Sequence, residues 1–96
     1  MHWILDDAGR PVEEPDVLKW AAWIEETSNR EIAQHKIGDV LLSTVFLGLD
    51  HSFGRGPPLL YETMIFGGEH DQEQWRYSTH EEAIEGHAKA RALVGA

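Results

Sequence analysis

Between positions 40 and 49, apolar residues occupy both parities of the chain. Val40, Leu42, Thr44 and Phe46 fall on one side of an extended strand, and Leu41, Ser43, Val45, Leu47 and Leu49 on the other. A strand that is apolar on both sides belongs at the centre of a sheet, covered on both faces. Residues Leu59 to Phe66 alternate too, with Leu60, Glu62, Met64 and Phe66 opposite Leu59, Tyr61, Thr63 and Ile65. Shorter runs predict three more strands. These are His2 to Leu5, closed by the turn Asp7-Ala8-Gly9; Arg30 to Ile37, leading into Gly38-Asp39; and an edge strand from Gln74 to Tyr77.

Helical spacing occurs twice. Val17, Trp20, Ala21 and Ile24 follow i, i+3, i+4, i+7 after Pro15, which suits a first turn. That helix runs to about Thr27 and stops at Ser28-Asn29, with Trp23 flanking the stripe. Thr79-His80-Glu81-Glu82 matches a capping box and opens a second helix to about Val94. Its predicted inner side is Ala83, Ile84, His87, Ala88 and Arg91. The order β, α, three or four strands, α predicts a small α+β fold: an antiparallel sheet of four to five strands with two helices packed on one face. Two helices leave the second apolar face of the central strand bare, which predicts a homodimer.

Composition narrows the class. Ninety-six residues make one domain, spanning 1–96. The chain has no cysteine, which excludes disulfide scaffolds, cysteine zinc sites, iron–sulfur clusters and thiol nucleophiles. Seventeen acids against eight bases give a net charge of −9, which argues against duplex nucleic acid and anionic membranes. The start MHWILDDAGRP has neither a basic region nor an apolar run, and the apolar stretch 40–49 falls well short of the ~20 residues that span a bilayer. The expected location is therefore cytoplasmic. Residues 28–61 carry three acids and three bases, so the middle third is the least hostile place for an anion.

Candidate chemistry gathers there. Asp50 and His51 leave the central strand and enter Gly54-Arg55-Gly56. Glycines permit close backbone approach, consecutive amides can cradle an anion, and the Arg55 fork suits phosphate. The plainer reading is a turn in which Asp50 bonds loop amides. Glu62 shares a face with Leu60, Met64 and Phe66, where a carboxylate needs a partner. It either recognises a base or sugar edge, or pairs with Arg55, Arg76 or His51. The candidate ligand-binding set is Asp50, His51, Gly54, Arg55, Gly56, Glu62 and Arg76. Six histidines raise the question of a metal, but none has a recognised ligand spacing, and no metal or cofactor is expected. Ser43, Ser52 and Ser78 lie in no nucleophile elbow, and there is no P-loop or dinucleotide fingerprint. Trp23 and Trp75 suit ordinary packing, stacking on a base, or anchoring a protein interface.

Two blocks, STVFLGLDHSFGRGPPLLYETMIFGG at 43–68 and RYSTHEEAIEGH at 76–87, resemble an uncharacterised family of small bacteriophage and prophage proteins. Members often have Trp where this chain has His80. The resemblance implies a phage origin and, for a small acidic phage protein without an enzyme motif, a host-takeover or counter-defence role. The expected function is non-catalytic capture of a small phosphorylated or nucleotide-like signal. The alternative is an acidic interaction module that inhibits a host protein directly, and a metal-dependent hydrolase comes third.

Overall fold

The computed structural model describes residues 1–26 and 30–95. Strands β1 (Trp3–Leu5) and β2 (Pro11–Glu13) form an antiparallel hairpin. Helix α1 (Val17–Glu26) follows, then β3 (Glu31–Ile37), β4 (Val40–Phe46), β5 (Tyr61–Phe66), β6 (Gln74–Tyr77) and helix α2 (His80–Gly95). The last four strands form one antiparallel sheet in the order β3-β4-β5-β6. The fold is α+β, with two helices on a small antiparallel sheet.

Several boundaries differ from the sequence reading. The expected single sheet is two, because β2 turns back on β1 and pairs Leu5 with Pro11. Strand β4 ends at Phe46 rather than Leu49, and Leu49 instead bridges His2. Strand β5 starts at Tyr61 rather than Leu59. Pro15 lies before the first turn of α1, whose cap is Asp16: its Oδ1 accepts from the amides of Leu18 (2.9 Å) and Lys19 (3.3 Å). The predicted stop at 27–29 lies outside the described residues. The capping box is present, Thr79 Oγ1 accepting from the Glu82 amide and Glu82 Oε1 from the Thr79 amide.

One face of the sheet carries the core. Leu42, Thr44 and Phe46 on β4 stand beside Ile65, Thr63 and Tyr61 on β5, and all six are fully buried. Helix α2 lies against all four strands and buries Ala83, His87 and Ala90, spaced i, i+4, i+7. Ile84, Ala88 and Arg91, placed on the inner side by sequence, are exposed. The opposite face, with Leu41, Ser43, Val45, Glu62 and Met64, stays partly exposed, so a single chain covers β4 on one side only.

The core is layered. Phe46, Leu60, Tyr61 and Ala83 form one cluster, and Leu42, Ile65 and Ala90 another. Between them lies a polar layer: Thr44 Oγ1 meets Thr63 Oγ1 at 2.5 Å and His87 Nδ1 at 2.7 Å, and His87 Nε2 meets His35 Nδ1 at 2.8 Å. The hydroxyls of Thr63 and Thr44 and both ring nitrogens of His87 are thus bonded to one another or to His35, as burial demands. Burial, then His35 and Arg91, hold the His87 imidazole below its ordinary pKa.

Helix α1 sits at the edge of the first cluster. Trp23 meets Phe46 edge to face, and Trp20 donates its indole N–H to the Gly48 carbonyl at 2.9 Å. Val17 and Ala21 face solvent, so the inner side is Trp20, Trp23 and Ile24. Gly48 has φ +78°, and a Cβ there would strike Ile24 Cδ1 at 2.8 Å. Only glycine lets the helix approach so closely.

Candidate functional site

Beyond β4 the chain keeps pairing irregularly before it loops. The Leu47 amide donates to the Leu60 carbonyl (2.7 Å) and the His51 amide to the Leu59 carbonyl (3.0 Å). Asp50 then closes the loop from within. Its Oδ1 accepts from the Ser52 amide at 2.7 Å and from the Leu59 amide at 3.0 Å. The Ser52 amide above all, with Leu59 assisting, holds the Asp50 carboxyl below its usual pKa. Ser52 is buried, and its carbonyl accepts from the Arg55 amide at 3.0 Å, making a turn.

The apex of that turn is open. Phe53, Gly54, Arg55, Gly56 and Pro57 are all exposed. Phe53 has φ +53° and its side chain is 84% exposed. A non-glycine residue in the left-handed region stores strain, which a fold tolerates where something else fixes the backbone. Here Asp50 fixes both flanks. His51, half-buried at the base, meets the Phe53 ring edge-on with centroids 6.5 Å apart.

The remaining two candidates stand elsewhere. Glu62 and Arg76 are register partners on β5 and β6, and Arg76 Nε donates to Glu62 Oε2 at 3.0 Å. Their side chains are 15% and 34% exposed on the open face of the sheet. Of the partners considered for Glu62, the structure selects Arg76. Asp50, His51, Gly54, Arg55 and Gly56 share the loop, whereas Glu62 and Arg76 are joined to each other. Among the described residues, no three of His, Asp and Glu gather as metal ligands, and no helix is long and apolar enough to cross a membrane.

Comparison with known proteins finds no matching family model, no matching curated protein and no matching solved structure.

Phe53 escapes sequence reasoning. Its signal was a lone aromatic inside a run of Ser, Gly, Arg and Pro, where nothing nearby offers it a core. Trp3 and Trp23 pack on the first cluster and Trp75 on the second, and Phe66, at 43%, is half as exposed as Phe53.

Proposed function

We propose that the chain is a binding module that docks the turn 52–57 on a protein partner and acts by occupying it, without turnover. Phe53 enters an apolar pocket and Arg55 pairs with a carboxylate at its rim. The carrying observation is Phe53 itself, held at φ +53° and 84% exposed on a loop tied at both ends. Strain and apolar exposure together are a cost to the isolated chain, and a partner's pocket offsets both. Aromatic and arginine side chains also supply most of the anchors in protein interfaces. The resemblance to phage proteins fits capture of a host signal as well as a host protein, and the exposed Phe53 favours the protein.

Capture of a small phosphorylated or nucleotide-like ligand by the same loop is the second reading, favoured by the exposed guanidinium of Arg55. It ranks lower because the Ser52 and Leu59 amides already donate to Asp50, whose carboxylate repels a phosphate. The expected homodimer belongs on the open face of the sheet, where exposed Phe66 stands beside Leu41. Sedimentation velocity tests it, and a mass of one chain removes it.

The deciding experiment immobilises the wild-type chain and the Phe53→Gly variant, passes a bacterial host lysate over both, and quantifies retained proteins by mass spectrometry. A parallel arm offers a nucleotide panel and releases bound molecules by heating. The expected result is one protein retained by the wild type and at least about tenfold less by Phe53→Gly, whose melting temperature is unchanged. Equal retention by the variant overturns the reading, and so does retention of an intact nucleotide alone.

A further inference from the structure

Edge strand β3 and α2 from Ile84 onward enclose a groove of about 600 Å³ that the loop does not touch. Ala33 and His35 line it from the strand, and Ile84, His87, Ala88 and Arg91 from the helix. The walls are apolar and small, while one end is polar and basic. His87, 5% exposed, is fixed from behind by Thr44 at 2.7 Å and meets His35 Nδ1 at 2.8 Å. That uses one nitrogen of His35. Its Nε2 has no partner among the described residues. Arg91 follows His87 by four positions, which places it on the same side of the helix. Glu82, Glu85 and Lys89 line the opposite flank of α2 and stay out of this groove.

We propose that this groove binds a small oxyanion carried on an apolar body, the carboxylate or phosphate meeting Arg91 and His35 while the body lies on Ala33, Ile84 and Ala88. The chemistry follows from the two ends. A guanidinium presents a donor fork that suits a planar or tetrahedral oxyanion. The imidazole chain is adaptable. When His87 Nε2–H donates to His35 Nδ1, the free His35 Nε2 carries a proton and becomes a donor. That direction continues inward, the Thr44 hydroxyl donating to His87 Nδ1 and the Thr63 hydroxyl to Thr44, so no buried atom loses its bond. An arriving anion therefore selects a hydrogen-bond direction that the core already supports. The C-terminal pole of α2 works against an anion here, and Arg91 offsets it. Against a net charge of −9, an anion without an apolar body has little to gain.

The test uses the full chain and two probes of one shape, 2-naphthoate and the uncharged 2-naphthamide, with inorganic phosphate as a third. Binding is measured by calorimetry and by NMR of the histidine ring carbons. Naphthoate is expected to bind and to shift the resonances of His35 and His87, with naphthamide and phosphate each weaker by about tenfold or more. Arg91→Gln, an exposed position that should not disturb folding, is expected to weaken naphthoate by about tenfold at unchanged melting temperature. Equal affinity for acid and amide overturns the proposal, as does unaltered binding by Arg91→Gln. Binding that leaves the His35 and His87 resonances in place overturns it too.

Discussion

Asp50 and Leu59, nine positions apart, are joined by one hydrogen bond of 3.0 Å, from the Leu59 amide to Asp50 Oδ1. With the Ser52 amide on the same oxygen, that bond sets the width of the loop that presents Phe53.

Replacing Asp50 with Ala should therefore free the loop while leaving the sheet intact. Hydrogen exchange is the measurement, and the Ser52 and Leu59 amides should lose protection while those of β4 and β5 keep theirs. The pH dependence has a definite sign. The folded carboxyl is held below its ordinary value of 3.8, so the restraint is complete above that pH and is lost as pH falls through the lowered folded value. Unchanged protection in Asp50→Ala would show that another contact shapes the loop.

His87 makes a second pH-dependent contribution. Its folded pKa is depressed from 6.5, by burial first and then by His35 and Arg91. The unfolded chain thus takes up a proton that the folded chain refuses. Stability from this group is fully present above about pH 6.5 and is lost as the pH falls below it. Melting temperature should drop between about pH 7.5 and about pH 5.5, and His87→Gln should flatten that drop. A variant with the wild-type slope would assign the effect to other groups.

Tyr61 is fully buried with its hydroxyl lacking a hydrogen bond among the described residues. Burial accordingly pushes its phenol pKa up. An unsatisfied buried hydroxyl costs about 1–3 kcal/mol, so Tyr61→Phe should be neutral or raise the melting temperature by several degrees. Thermal denaturation followed by circular dichroism checks this, and a clear loss of stability would mean that the hydroxyl is bonded in solution.

Gly86 lies where α2 meets β6. A Cβ at this position would overlap the phenol ring of Tyr77. Alanine is the better helix former by about 1 kcal/mol, yet the clash should dominate at about 1–3 kcal/mol. Gly86→Ala is expected to unfold at lower urea concentration than the wild type, and the double variant Gly86→Ala, Tyr77→Leu should recover part of the loss. No loss in the single variant would mean that the Tyr77 ring moves freely.

What was legible in the sequence was local. The capping box at Thr79 and Glu82, the alternation of 61–66 and the edge strand at 74–77 need no knowledge of distant residues. Strand β2 was missed because three residues beginning with proline carry no pattern, and its pairing with β1 is settled in space. On α1 the stripe holds at Trp20 and Ile24 but not at Val17 and Ala21, because the helix tilts its inner side toward Trp23, which meets the Phe46 ring. Within the candidate site, Asp50 was visible as a loop residue, but its hold on Leu59 is a closure across nine positions that spacing does not encode. Glu62 was visible as a carboxylate needing a partner, and the β5–β6 register chose Arg76.

The loop is also harnessed to the first residues of the chain. Asp50 donates its amide to the Met1 carbonyl (3.1 Å), and the Gly48 carbonyl accepts both the Trp3 amide and the Trp20 indole at 2.9 Å. Any tug on Phe53 from outside is thus transmitted along two short tethers to the β1–β2 hairpin and α1. Those distant segments become a gauge of whether the apex is engaged, readable without placing any label on the apex itself.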